Sequence, residues 1–508
     1  MDKKKSILNV TISTISKVVL LVLTIVVRRF LIKYAGNEAN GVYSLYTSII
    51  GFLAVAELGV GTAINFSMYK PIVDNDTKKV AALYNLYKKI YLIIGVIISI
   101  AGIIILPALP ILAKDYSSNF SLYTTFLIVL FDVVLTYAYS CKTSLINAYK
   151  NNYVTTLINT ITMVLRSVAQ IIVLRLTSSF VWYLALRIGT TLLEWLLTKI
   201  YVSIKHKDVI YTKEKIDTET KQEIIKNTKA LFMHKIGGLL VNTVDSIIIS
   251  SFIGVVVLGL YSNYIALVTA MQGVLGLLFT SLTSVFGHLC AEGNIDEEKK
   301  YFRFMYLLNF VTGLIFFLGY YAVADNIVAV CFGKDLIMDH SVVMIITLNY
   351  FIQYLRSAVM VYRDATGTFY YDRWKPLIEG LINVVLSISF VLWFGVAGVI
   401  VATIITNLLI CHIVEPYVLY KHGFKQKATQ YYTLNYLLIA VFCGALICLH
   451  FLKQSFDRLL IEFLVNGLIS FGISAVILLI MFAVSKTFRT NTIKVFKFGI
   501  NFLTKRKQ

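Results

Sequence analysis

Apolar runs long enough to cross a bilayer, separated by short polar or charged stretches, occupy most of the chain. A helix needs about 20 apolar residues to span the hydrocarbon core, and by that measure the pattern predicts about 14 membrane helices. The first six cover 7–33, 41–69, 83–106, 121–148, 153–176 and 181–204. A basic stretch follows, too charged to enter a membrane, so 205–228 reads as a cytoplasmic connector. A second set covers 229–253, 260–290, 301–323, 341–364, 376–395 and 397–420, with two further spans at 432–452 and 460–484. The expected fold is all-α and polytopic: a six-helix lobe over 1–204, a second over 229–420, and two appended helices within 421–485. In the tail, 486–508, aromatic and aliphatic residues alternate with cations, as on a helix lying in the inner interface.

The polar positions repeat. Gly41-Val42-Tyr43-Ser44 is echoed by Gly259-Leu260-Tyr261-Ser262. In the same register Lys78-Lys79 falls on Asp296-Glu297, and Lys114-Asp115 nearly meets Lys334-Asp335. A duplicated membrane unit that carries charge inside its spans points to a transporter with two lobes around a central pathway.

Composition agrees with the pattern. Of 508 residues, 58% are hydrophobic and only 15% charged, too apolar and too long for one soluble domain. The N-terminal run is too long for a signal-peptide core and lacks a small-residue cleavage site, so it reads as a retained first helix. The net charge of +20 is mostly topological. Roughly 35 lysines and arginines lie in the N-terminus, every second loop and the tail, against about six in the intervening loops, which places both termini in the cytoplasm. The basic inner face would attract anionic membrane lipid rather than nucleic acid. The six cysteines sit mostly inside apolar segments without ligand or disulfide spacing. The outer loops are short, the longest running from Asp325 to His340, which leaves no room for an extracellular catalytic domain. With no Gly-rich phosphate loop and no clustered His or Cys, neither an enzyme nor a metal or other cofactor is expected.

Charges inside the spans carry the functional reading, because each costs roughly 2.5 to 3.5 kcal/mol at mid-bilayer on insertion scales. Their spacing follows the 3.6-residue period. Ser13, Lys17, Thr24 and Arg28 share a face of the first span, and Asp132, Thr136, Thr143 and Asn147 a face of the fourth. Asn159, Thr162 and Arg166 align on the fifth; Arg187, Thr191, Glu194 and Thr198 on the sixth. Lys235, Asn242 and Asp245 align on the seventh; Asn349, Gln353, Arg356 and Arg363 on the tenth. Such stripes predict a shared hydrated cavity; the competing reading is pairing between neighbours, such as Arg187 with Glu194 or Lys235 with Asp245.

Sign then selects substrate. The cations Lys17, Arg28, Arg29, Arg166, Arg187, Lys235 and Arg356 outnumber the carboxylates Glu57, Asp132, Glu194 and Asp245, which favours an anion. The arginine fork suits phosphate, so Arg28, Arg29, Arg166 and Arg356, with Lys17 and Lys235, are the candidate substrate-binding residues. Glu57, Asp132 and Asp245 are the candidate sites for a coupling ion. Tyr137, Tyr139, Tyr264, Tyr350 and Tyr354 could stack on sugar rings or serve as packing and interface anchors.

The Arg28-Arg29 ending, the Ala39-Asn40-Gly41-Val42-Tyr43-Ser44 turn and Glu57-Leu58-Gly59-Val60-Gly61 resemble the opening of bacterial polysaccharide flippases of the O-antigen type, in the multidrug/oligosaccharidyl-lipid/polysaccharide (MOP) exporter superfamily. Ala365-Thr366-Gly367, Asp372-Arg373, Pro376-Leu377-Ile378, Asn383 and the run from Gly395 through Gly398 to Thr403 are similar to that family's eleventh and twelfth helices. The resemblance implies two six-helix bundles related by a pseudo-twofold axis and alternating access. It also implies an undecaprenyl-pyrophosphate-linked oligosaccharide as cargo, turned to the outer leaflet for a polysaccharide polymerase and export proteins. Arg28 and Arg29 match cationic cavity positions of the family; Arg166 and Arg356 come from the stripes alone. Alternatives are a lipid II or teichoic-acid precursor flippase, sharing the cationic-cavity chemistry, and a multidrug exporter of the same superfamily, which would want an acidic cavity.

Overall fold

The computed structural model describes residues 3–57, 60–212, most of 214–228, 243–292, 294–484 and 488–490. Among them every long element is helical and no strand occurs. The chain is an all-α polytopic membrane protein, and ten described helices are long and apolar enough to cross a bilayer. We label the main helices α1 (Lys3–Leu53), α2 (Val60–Val73), α3 (Thr77–Ile105), α4 (Leu122–Ala148), α5 (Asn152–Thr177), α6 (Phe180–Lys205), α7 (Val255–Glu292), α8 (Ile295–Cys331), α9 (His340–Leu355), α10 (Ser357–Ala365), α11 (Lys375–Thr406), α12 (His412–Val418), α13 (Thr429–Leu452) and α14 (Leu459–Val484).

Two of these are double spans. Gly36, at φ 88°, breaks α1 between the first and second predicted crossings. Gly395, at φ 56° and ψ −135°, does the same in α11 between the eleventh and twelfth. A side chain at Gly395 would be strained in that conformation, which is the local reason for glycine at the head of the Gly395 to Thr403 run. Elsewhere short polar residues mark the helix starts. The Asp76, Ser121, Ser179, Asn294 and Asp339 side chains each accept a hydrogen bond from a first-turn N–H.

Outward faces are apolar and inward faces carry the polar groups, the reverse of a water-soluble helix. On α3, Leu92, Val96, Ile100 and Ile104 are exposed, and on α14 Leu460, Leu464, Leu468 and Phe471 are. Asn466, Ser470 and Ser474 on α14 are buried. Lipid is the solvent that makes this arrangement stable, because apolar side chains lose nothing by facing it while polar groups must find partners inside.

Contacts divide the chain into two compact units, 1–262 with 376–399, and 263–375 with 400–508. In the first, α1 packs on α5, α4 on α6, and α3 on α4. The repeated motifs meet there. A Cβ at Gly41 would lie 1.9 Å from the Val255 carbonyl oxygen, and one at Gly259 would lie 2.6 Å from that of Asn37. Backbone thus touches backbone, and Asn40 Nδ2 donates to the Gly259 carbonyl at 3.1 Å while Asn37 Nδ2 donates to that of Val256 at 2.9 Å. At the end of this hairpin Glu38 accepts from the N–H groups of Ser117 (2.5 Å) and Ser118 (3.1 Å). Burial pushes the Glu38 carboxyl up, but these donors outweigh it and hold the group below its ordinary range.

In the second unit α8 is the central helix, packed against α9, α13 and α14. Its Asp325, 3% exposed, accepts from Lys453 Nζ at 2.6 Å and Tyr264 Oη at 2.7 Å, and meets His340 Nδ1 at 2.9 Å. Removing the charge of a buried carboxylate strands its cation. Asp325→Asn is therefore expected to lower unfolding stability by about 3 kcal/mol, more than Lys453→Met, as read by thermal unfolding in detergent.

Candidate functional site

The arginine stripes of the first unit converge on one pocket. Helix α1 supplies Thr24 and Arg28 on one face, one turn apart, and past the Gly36 break it supplies Asn40 and Tyr43. Helix α5 contributes Met163, Arg166, Ser167 and Gln170, and α6 contributes Tyr183 and Arg187. Together they line a cavity of about 120 Å³.

Each guanidinium is held differently. Arg187 Nε donates to Asp132 Oδ2 at 2.9 Å, its Nη1 donates to the Tyr43 hydroxyl, and its plane lies 5.5 Å from the Tyr43 ring centre. Asp132, 2% exposed, also accepts from Thr191 Oγ1 at 2.6 Å. Arg28 Nη1 reaches the Ser262 carbonyl at 2.6 Å and its hydroxyl at 3.2 Å. Arg166 Nε donates to Thr190 Oγ1 at 2.8 Å. The Ser262 carbonyl and hydroxyl orient Arg28, and the Thr190 hydroxyl orients Arg166. A planar guanidinium fork is the side chain suited to an oxyanion.

The remaining predicted residues are dispersed. Arg29 and Lys17 are exposed and do not line the pocket. Lys235, and with it the suggested Lys235–Asp245 pair, falls outside the described residues. Arg356 lies in the second unit, where its Nη2 and Nε donate to the Glu415 oxygens at 2.6 and 3.1 Å and its Nη1 donates to Asn407 Oδ1 at 2.5 Å. Lys375 Nζ shares Glu415 Oε1 at 2.6 Å, and Arg363 pairs with Asp372 at 2.7 Å. Among the candidate coupling carboxylates, Asp132 is the partner of Arg187. Glu57 accepts from Tyr91 Oη at 2.5 Å, with Tyr91 stacked on Tyr87 at 4.3 Å between ring centres, and Asp245 is buried.

The suggested pairing of Arg187 with Glu194 is corrected by the structure: Arg187 turns to Asp132 on α4, while Glu194 lies 3.4 Å from Thr162 Oγ1 on α5. Spacing along one helix had marked Arg187 and Glu194 as neighbours; a shorter approach across two helices prevails. Tyr43, Glu415 and Lys375 escaped the sequence reading. Glu415 precedes Pro416 inside an apolar run, and an isolated intramembrane carboxylate there was the one available signal.

A multi-helix membrane fold with arginines gathered on an internal pocket is shared with transporters. Solved structures with this fold include a flippase and a multidrug transporter. The first is the lipid II flippase MurJ in an inward-closed conformation, at TM-score 0.64 and 17% identity, covering 94% of this chain and 99% of that one. An inward-facing multidrug resistance MATE family transporter of the MOP superfamily matches at TM-score 0.61 and 15% identity, covering 84% and 95%. No curated protein matches the chain. Residues 3–287 match the family model described as polysaccharide biosynthesis protein, and the chain belongs to that family, with the fold of the MOP superfamily.

Proposed function

We propose that the protein is a flippase that moves an undecaprenyl-pyrophosphate-linked oligosaccharide from the cytoplasmic to the outer leaflet by alternating access, for cell-surface polysaccharide synthesis. The observation that carries this reading is the convergence of Arg28 and Arg166 on one small pocket of the first unit, beside Arg187 held by Asp132. The pyrophosphate docks on Arg28 and Arg166 while the prenyl tail stays in lipid. Arg29, Lys17 and Lys235 act on the approach of the headgroup. Arg356, bound to Glu415 here, joins only in a conformation that opens that pair. Glu57, Asp132 and Asp245 are the proposed coupling carboxylates, Asp132 through its pair with Arg187. The protein acts in the bacterial cell membrane with both termini cytoplasmic, and hands its cargo to a polysaccharide polymerase and export proteins.

A lipid II or wall-polymer precursor would present the same prenyl pyrophosphate to the same arginines, so it is the second reading. An exporter of organic cations fits poorly with arginines on the pocket.

Reconstitution in liposomes with a fluorescent polyprenyl-pyrophosphate oligosaccharide tests the assignment by leaflet exposure. Each charge-assisted bond contributes about 1.5 to 3 kcal/mol, so Arg28→Ala with Arg166→Ala is expected to slow transfer by about a hundredfold or more. Undiminished transfer in a folded double variant would overturn the phosphate assignment. Transfer of lipid II in preference to the oligosaccharide would favour the second reading, and extrusion of a cationic dye alone would remove both.

A further inference from the structure

A second cavity lies within the other unit. It has a volume of about 900 Å³ and is bordered by the first turns of α8, the chain following α12, and the first turn of α13. Lys299, Lys300, Arg303 and Lys427 line it against the single carboxylate Asp296, and none of the four cations is in an ion pair among the described residues. Lys299 Nζ donates instead to Gln426 Oε1, tying two sides of the mouth together.

The floor is aromatic and buried. Phe302, Tyr306 and Tyr431 are 2%, 1% and 3% exposed, with the Tyr306 and Tyr431 ring centres 5.0 Å apart. Tyr306 Oη donates to Asn435 Oδ1 at 2.6 Å, and the Tyr431 hydroxyl lies beside that of Tyr306. Helix α13 starts at this floor with Ala428 at its N-cap position, so no side chain caps its first turn. The first-turn N–H groups of α13, which no side chain caps, supply donors at the bottom of a basin whose rim is positive.

Like charges converging on a cavity repel one another, and an anion bound among them relieves that repulsion. The site stands where α8 and α13 begin their apolar runs, the depth of lipid headgroups. On the topology proposed above, that end is cytoplasmic. We propose that this pocket binds a phosphate ester, supplied by the headgroup of an anionic glycerophospholipid of the inner leaflet. The cations grip the phosphate, Thr429 and the α13 amides take its oxygens, and the aromatic floor meets the glycerol and the first methylenes. The site is separate from the arginine pocket and uses none of its residues, so its occupant does not depend on the cargo.

The test uses the purified full chain in an uncharged detergent, without cargo. Phosphatidylglycerol, phosphatidylcholine and glycerol 3-phosphate are titrated separately and bound species counted by native mass spectrometry. Phosphatidylglycerol should be retained and phosphatidylcholine lost. Each interfacial cation attracts anionic lipid enough that Lys299→Gln, Arg303→Gln and Lys427→Gln together should weaken retention by about a hundredfold. The charge-preserving set Lys299→Arg, Arg303→Lys and Lys427→Arg should keep it, separating lost charge from a misfolded rim. Equal retention by the neutralised variant, or no preference over phosphatidylcholine, would overturn the proposal. Glycerol 3-phosphate binding as tightly as the lipid would keep the phosphate site but assign it a soluble ester.

Discussion

Glu415→Ala is expected to be among the most destabilising single substitutions in the second unit. The carboxylate is 1% exposed and its two oxygens take donors from Arg356 and Lys375 at 2.6 to 3.1 Å, with Arg363 3.9 Å away. Three cations stand around it, and Asp372 answers only Arg363 at close range. Truncation leaves Arg356 and Lys375 without their shared counter-charge, and breaking a buried pair from one side costs about 3 to 5 kcal/mol. Thermal unfolding in detergent should show a large drop in midpoint, and the yield of folded protein from membranes should fall with it. Lys375→Met in the Glu415→Ala background should recover part of the loss, because it removes one of the two cations that shared Glu415. A midpoint within about 1 kcal/mol equivalent of the parent would mean that water reaches the cluster and screens it.

Gly41→Leu should disrupt the first unit by another route. The close approach of α1 and α7 at this point puts the Val255 carbonyl oxygen 1.9 Å from where a Cβ would sit, and a backbone atom has no rotamer by which to move aside. Accommodating leucine requires the helices to part, which breaks the Asn40 to Gly259 and Asn37 to Val256 bonds and withdraws Ser262 from Arg28. The expected loss is about 4 kcal/mol or more, beyond ordinary overpacking. Gly41→Ala should fall between leucine and the parent. The change also predicts a functional signature, since Arg28 loses the carbonyl that aims it: any Gly41→Ala protein that folds should transport more slowly than its stability accounts for. A leucine variant with parental unfolding and transport would contradict the contact.

How much of this was legible in the chain depends on the distance over which the determining interaction acts. The long helices were legible because apolar length, capping residues and glycine breaks act within a few residues. Of the stripe residues, Arg28, Arg166 and Arg187 line one pocket, while Lys17 and Arg356, read on the same grounds, do not. The repeat of Gly41-Val42-Tyr43-Ser44 in Gly259-Leu260-Tyr261-Ser262 was visible as a pattern, but not that the two copies would press backbone to backbone. Partner choice was not legible either: Arg187 was matched with Glu194 one helical period along, and Glu415 was passed over.

The sequence by itself determined an all-α polytopic membrane protein and a surplus of cations inside its apolar runs, because a bilayer demands apolar length and internally satisfied backbone whatever the topology. Tertiary structure alone decided which oxygens each cation meets. Arg356 and Arg28 look alike along their helices, yet one meets Glu415 59 residues away and the other the carbonyl of Ser262, 234 residues away. A charge at fixed helical spacing defines a face, but its partner is set by which other helix brings an oxygen within about 3 Å, and only packing fixes that.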